Sequence, residues 1–184
     1  MTSQGKQRNE LLNQIIGLEA EMFVNVPTAE PAACQERLKP FRAMRRMTHS
    51  PLSDGTLQSY LGDLLQAKAD GRNLLQEKYA RMDDLIPCLN DNPLIAKIAQ
   101  FEMRCLDDLS ARYPQLIASV ATTDPGLYLT SELETLSDDT LNHYFEDVAN
   151  AMEEGRNLAE ERYIYLCKIL GYGSLDEWHK AKTG

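Results

Sequence analysis

An internal repeat constrains the fold of this chain more than any other feature of its sequence. Residues 52–82 align with residues 136–166 without a gap, and 14 of the 31 aligned positions are identical. Unrelated segments with average residue usage would share roughly two. Upstream, "GLEAEMF" around Glu19 and "QFEMRCL" around Glu102 follow nearly the same offset. We therefore predict two copies of one structural unit, over about residues 8–86 and 92–170.

Each unit carries two segments in which apolar residues recur at the three- and four-residue spacing of an amphipathic helix. The repeated "LSD" and the pair Asn92–Pro93 are typical helix starts, because Ser, Asp and Asn side chains accept hydrogen bonds from free amides and proline suits the first turn. The sequence therefore predicts an all-α, internally duplicated helical bundle. Four long helices would be related by a pseudo-two-fold axis, with short helices in the connections.

The C-terminus shows a further helix signal. Ser174 and Glu177 form a capping-box pattern, which predicts a short closing helix over residues 174–182 anchored by Trp178. With this helix, residues 1–184 are interpreted as a single domain made of the two repeats.

The repeated "GRN" places a glycine, Gly71 or Gly155, inside each predicted second helix. A glycine in a helix interior costs about 1 kcal/mol relative to alanine. Close approach of the two second helices at these glycines would compensate for that cost, so we predict that they cross there. The residues that flank the glycines would then bond across the crossing or line a cleft: Arg72, Asn73, Arg156 and Asn157.

Composition limits the classes of partner. The net charge of -9 and the pI near 4.8 argue against nucleic acid and anionic membranes, because phosphate binding needs a basic surface. No run reaches the roughly 18 apolar residues of a membrane span, and the polar start lacks a signal core, so we expect a cytoplasmic protein. The four cysteines and three histidines show no metal-ligand spacing, so no metal site is predicted and no cofactor is identified.

Two carboxylates fall on apolar faces. Glu19 and Glu102 occupy equivalent places in the apolar stripes of the two first helices. A buried carboxylate must be protonated or paired. The repeat offers cationic, hydroxyl and neighbouring acidic groups at matching positions: Lys78 and Arg162, Tyr60 and Tyr144, and Glu77 and Glu161.

Three interpretations of these buried charges are open. They form a paired network that fixes helix register, a polar pocket at the two-fold axis for a small ligand, or an oxygen-only metal site built from Glu19, Glu102 and Glu77 or Glu161. The connection in the first unit adds a basic segment. It would hold an anionic ligand or dock on acidic groups of the protein itself, and its cations are Arg37, Lys39, Arg42, Arg45 and Arg46. A short amphipathic helix starting near Pro40 would carry it.

Several of these segments resemble a bacterial family, the domain of unknown function DUF4125. They are "EMFVNV", "CQE", "FRAMR", residues 52–82 and "FEMRCL". The resemblance covers nearly the whole chain and implies no established activity or cofactor. It draws attention to the polar residues inside the matching segments: Glu19, Arg42, Arg45, Arg72, Asn73, Glu77 and Tyr79.

For function, the sequence favours a domain that binds or acts on a small polar or anionic molecule between the two repeats. The alternative is a non-enzymatic interaction or structural module in which the internal charges are purely structural. No nucleophile with an adjacent base and no Gly-rich phosphate loop occurs, so no reaction class is predicted. We expect a monomer or a homodimer.

Overall fold

A computed structural model describes residues 3–27, 38–118 and 124–183 of the chain. These residues form ten α-helices and no strand, which confirms the all-α prediction. The helices are α1 (Ser3–Val24), α2 (Leu38–His49), α3 (Asp54–Ala69), α4 (Leu74–Met82), α5 (Leu94–Arg112), α6 (Pro114–Ala118), α7 (Pro125–Leu133), α8 (Asp138–Glu153), α9 (Leu158–Ile169) and α10 (Leu175–Thr183). Cys34 and Arg37 lie outside the described residues.

The helices of each half pack on one another. The connecting helices α2 and α7 each pack on both halves. In the first half α1 packs on α3 and α4, and in the second half α5 packs on α8 and α9. Helices α3 and α8 join the halves. Helix α2 packs on α1 and also on α9, whereas α7 packs on α5 and also on α4. Each connecting helix therefore brings its side chains to the opposite half.

The predicted caps at the starts of α3 and α8 are present. Ser53 accepts a hydrogen bond from the Thr56 amide, and Ser137 accepts one from the Thr140 amide. The halves also cap each other, because Asp147 Oδ2 accepts from the Ser53 amide at 2.9 Å and Asp63 Oδ2 accepts from the Ser137 amide at 3.1 Å. These reciprocal bonds set α3 and α8 antiparallel and fix their register.

The predicted closing helix is also present. Ser174 Oγ accepts a hydrogen bond from the Glu177 amide at the start of α10. The Trp178 side chain is fully buried and stacks on Tyr172 and Tyr163. Apolar residues of both halves join one hydrophobic core, which includes Ile15 and Leu64 as well as Ile98 and Leu141. The duplication and its pseudo-two-fold axis stay predictions.

The prediction of an unbroken second helix in each half is wrong. Gly71 lies between α3 and α4 with a φ of 70°, and Gly155 lies between α8 and α9 with a φ of 65°. The Arg72 amide donates to the Ala67 carbonyl and the Gly71 amide to the Lys68 carbonyl, which is the bond pair that ends a helix at a left-handed residue. Both glycines therefore stop a helix, and a left-handed φ is the reason that glycine stands there.

The predicted close approach of helices at these glycines is wrong as well. A methyl group added at Gly71 or Gly155 would have nothing within 4 Å. Asn73 and Asn157 start the next helices, since their side-chain oxygens accept from amides of the first turns of α4 and α9. Their side-chain amides donate to the Met22 and Cys105 carbonyls. "GRN" is thus a helix stop followed by a helix start that is tied to the first helix of its half.

Two alanine substitutions distinguish a glycine that ends a helix from a glycine inside a helix. Gly71→Ala should lower the free energy of unfolding by about 1–2 kcal/mol, because alanine is strained in the left-handed region. Gly62 lies exposed inside α3 with open space around it. Gly62→Ala should therefore raise the free energy of unfolding by about 0.5–1 kcal/mol through helix propensity. Urea unfolding followed by circular dichroism measures both, and the same sign for both variants would contradict the assignment.

Candidate functional site

Glu19 is the centre of a buried polar network in the first half. Its side chain on α1 is 0% exposed. Its Oε1 accepts from Arg45 Nη2 at 2.6 Å, from Arg45 Nε at 3.0 Å and from the Tyr60 hydroxyl at 2.9 Å. His49 Nε2 lies 2.9 Å from the same oxygen. The predicted inward position of Glu19 and its contact with Tyr60 are therefore observed, while its cation comes from α2.

Glu132 on α7 extends this network into the second half. Its carboxylate accepts from Arg45 Nη2 at 2.9 Å and Nη1 at 3.1 Å, and from Lys78 Nζ at 2.7 Å. The Lys78 ammonium also lies 3.5 Å from the centre of the Tyr128 ring. Arg45 thus bridges two carboxylates from opposite halves, and Lys78 pairs with Glu132 rather than with Glu19.

Glu102 on α5 holds a second network, as its position in the repeat predicts. Arg162 Nη1 and Nη2 donate to its two oxygens at 2.5 and 2.7 Å, and the Tyr144 hydroxyl donates to Oε1 at 2.8 Å. Arg162 Nε donates to the carbonyl of Thr48, at the end of α2. Of the partners that the repeat offered by type, Arg162 and Tyr144 are the ones that bond to Glu102.

The ion pairs hold these groups in fixed charge states. Burial alone would raise the pKa of Glu19, but Arg45 and His49 outweigh it and lower that pKa to about 2. Burial also opposes ionisation of Glu132, yet Arg45 and Lys78 hold its pKa well below the usual range. Burial and the Glu19 charge raise the pKa of Tyr60. Near neutral pH the carboxylates of Glu19 and Glu132 are therefore ionised, and the Tyr60 hydroxyl is protonated.

A cavity of about 200 Å³ lies between the two networks and opens to solvent. Residues of both halves line it, from α2, α3, α5, α7, α8 and α9. Most of its wall is apolar, with side chains such as Met103, Leu106 and Leu129. The networks supply its charged residues and several other polar ones, which are His49, Tyr60, Glu102, Glu132, Tyr144 and Arg162. Residues with hydroxyl groups complete the polar lining: Thr48, Thr56, Thr140, Tyr128 and Tyr163.

A comparison with protein families shows to which family the chain belongs. The model of a family described as a protein of unknown function, DUF4125, matches residues 9–180. The chain belongs to the DUF4125 family. No curated protein and no solved structure matches it significantly.

Four of the fourteen predicted site residues line the cavity: Tyr60, Glu102, Tyr144 and Arg162. Seven others belong to neither buried network. Arg72 and Glu77 form an ion pair with the Arg72 side chain 47% exposed, and Arg156 and Glu161 form the equivalent pair. Each pair spans a helix break, which explains its recurrence beside the glycine. Asn73 and Asn157 are helix caps. Arg42 is exposed, near the start of α2.

The other seven predicted residues belong to the two networks: Glu19, Arg45, Tyr60, Lys78, Glu102, Tyr144 and Arg162. Arg45 docks on carboxylates of the protein itself, one of the two interpretations of the basic segment. The sequence reasoning missed His49, Tyr128 and Glu132. His49 follows Arg45 by one helical turn, and this spacing could have found it. Glu132 stands in the acidic connection of the second half, and only the crossing of the connecting helices brings it to Arg45.

Two buried atoms of the network have no hydrogen-bond partner among the described residues: Glu19 Oε2 and His49 Nδ1. Within the described ranges no group of three His, Cys, Asp or Glu side chains is placed to hold a metal ion. The carboxylates proposed for a metal site are dispersed, since Glu77 and Glu161 pair with surface arginines. No helix in the described part of the chain is long and apolar enough to cross a bilayer.

Proposed function

We propose that this DUF4125 protein binds a small organic molecule in the cavity between its two halves. The observation that carries the proposal is the cavity itself, which both halves line and both buried networks border. A concave, mostly apolar site with a few convergent polar groups is the usual form of a ligand site. An exclusively structural charge network would not require such a space.

The size of the cavity limits the ligand. An apolar cavity of about 150 Å³ is known to hold benzene, and drug-sized ligands occupy roughly 300–1,000 Å³. A cavity of about 200 Å³ therefore suits a molecule of about one substituted ring. Apolar side chains such as Leu129 and Met103 would contact the ring, and the network side chains would contact its polar substituent.

The protonation states of the network residues favour a role in ligand binding over general acid–base catalysis. A general acid or base works best when its pKa lies near the working pH. The pKa of Glu19 is about 2, and burial with the Glu102 charge raises the pKa of Tyr144 well above its ordinary value. Both groups therefore keep their protonation state near neutral pH, and they act as fixed dipoles and charges that are arranged before the ligand arrives.

A neutral aromatic probe with a matched pair of variants tests the proposal. Benzyl alcohol should shift NMR signals of cavity residues in the wild-type protein. Leu129→Trp, which places an indole in the cavity wall, should weaken that binding at least about tenfold, or 1.4 kcal/mol. Leu127 lies on the same helix but is 40% exposed and outside the cavity, so Leu127→Trp should bind as the wild type does. Equal binding by all three proteins, or by none, would refute the proposed site.

A further inference from the structure

We infer that the ligand carries a positively charged hydrogen-bond donor, such as a primary or secondary ammonium group, at its polar end. This inference rests on the proposed function and adds the chemical class of the ligand. The sequence favoured a small polar or anionic ligand, and the inference departs from the anionic part of that expectation, which depended on the basic segment of α2. Within that segment, Arg45 is already paired with two carboxylates and Arg42 points into solvent.

The unused bonding capacity of the cavity wall consists mainly of acceptors. A carboxylate oxygen can accept about two hydrogen bonds. Among the described residues, Glu102 Oε2 accepts one bond, from Arg162, and Glu132 Oε1 accepts one, from Arg45. Both glutamates line the cavity. Each can therefore accept one more bond from a ligand, and each carries a negative charge.

His49 adds an unpaired polar atom to the wall. It lines the cavity, is 3% exposed, and its Nδ1 has no hydrogen-bond partner in the described part of the chain. Its Nε2 lies 2.9 Å from Glu19 Oε1 and 3.4 Å from Arg45 Nη2. When the ring is neutral with its proton on Nε2, Nδ1 is an acceptor that a donor on the ligand would satisfy, directly or through a water molecule.

The donors on the wall are largely occupied. Arg162 is the one arginine or lysine among the described lining residues. Its Nε donates to Thr48, its Nη1 to Glu102, and its Nη2 to both Glu102 and Tyr144. Only one N–H, on Nη1, remains for a ligand. Tyr128 and Tyr163 also line the cavity, but a tyrosine hydroxyl accepts as readily as it donates.

The charges of the side chains that line the cavity also favour a cationic ligand. Among the described lining side chains, Glu102 and Glu132 are acidic and Arg162 is the one arginine or lysine. Arg45 and Lys78 pair with Glu132 from outside the lining. An anionic ligand that approached either carboxylate would meet a like charge, whereas a cation would meet an opposite one. The net charge of -9 acts in the same direction at longer range.

The test compares three probes of one shape and different charge in the full-length protein at neutral pH. They are benzylamine, which is protonated, benzyl alcohol, which is neutral, and benzoate, which is anionic. Calorimetric or NMR titration should give a Kd for benzylamine at least about tenfold lower than for benzoate, with benzyl alcohol between them. Leu129→Trp should abolish the binding of benzylamine, which excludes attraction by the acidic surface alone.

Glu132→Gln removes one of the two lining negative charges and should reduce the ratio of the benzoate Kd to the benzylamine Kd several-fold. Glu77→Gln, in a surface pair away from the cavity, should leave that ratio unchanged. If Glu132→Gln does not fold, the wild-type ratio decides the question. Tighter or equal binding of benzoate, with benzyl alcohol still bound, would overturn the ammonium inference and leave the proposed function standing. Failure of all three probes would overturn both.

Discussion

Replacing Glu19 with alanine is expected to lower the free energy of unfolding by about 3–5 kcal/mol. Glu19 is 0% exposed, and its Oε1 receives bonds from Arg45, Tyr60 and His49. Without the carboxylate, Arg45 keeps Glu132, but Tyr60 loses its one hydrogen-bond partner among the described side chains, and His49 keeps only a longer contact of 3.4 Å with Arg45. Leaving buried polar groups unsatisfied costs more than the net gain of forming their bonds.

A surface pair from the same repeat provides the control. Glu77 pairs with Arg72 at 2.7 Å, a distance similar to the shortest Glu19–Arg45 contact, but the Arg72 side chain is 47% exposed. Exposed ion pairs contribute about 0–1 kcal/mol, so Glu77→Ala should lower the free energy of unfolding by less than about 1 kcal/mol. Urea unfolding of the two variants and the wild type measures the difference. A loss for Glu19→Ala as small as that for Glu77→Ala would show that Glu19 is not the centre of a stabilising network.

Acidification is expected to remove the stabilisation that comes from the ionised Glu19. The pKa of Glu19 falls from 4.5 to about 2 on folding, because Arg45 and His49 outweigh the effect of burial. A lowered folded-state pKa means that the contribution is fully present above pH 4.5 and is lost as the pH falls through about 2. Each pKa unit corresponds to about 1.4 kcal/mol, so the loss from this group is about 3 kcal/mol.

A pH series of the wild type and Glu19→Gln follows this contribution. The wild type should be more stable than the variant near neutral pH, and the difference between their free energies of unfolding should shrink steadily below pH 4.5. Glu132 also has a lowered pKa and shares Arg45 with Glu19, so the difference reports Glu19 together with its coupling to Glu132. A difference that stays constant down to about pH 2 would contradict the lowered pKa of Glu19.

The Glu19→Ala unfolding experiment and the pH series both concern the network that borders the cavity. A network whose charges are fixed near neutral pH keeps Glu132 and His49 in place at the cavity wall before any ligand enters. Such arrangement in advance reduces the entropy lost on binding. The structural and ligand-binding interpretations of the buried charges are therefore compatible, because residues of the stabilising pairs, Glu102 and Glu132, also line the space between the halves.

The sequence by itself determined the helices and the inward position of two carboxylates. Helix periodicity and caps are local properties, so the apolar stripes predicted that Glu19 and Glu102 would be buried, and Ser53 and Ser137 marked helix starts. Helix propensity gave the wrong prediction of an unbroken helix at Gly71. The surrounding residues favour helix, but a glycine followed two residues later by Asn also fits a stop and a new start, and the backbone bonds decided for the stop.

Only the tertiary structure decided which charges meet. Lys78 and Arg162 occupy matching repeat positions, yet Arg162 pairs with the glutamate of its own half while Lys78 pairs with Glu132 of the other half. The reason is that α2 and α7 cross between the halves, so Arg45 takes the place beside Glu19. Spacing along a helix fixes which face a side chain occupies, whereas an ion pair depends on the path of a long connection and on the relative height of two helices, which no local pattern encodes.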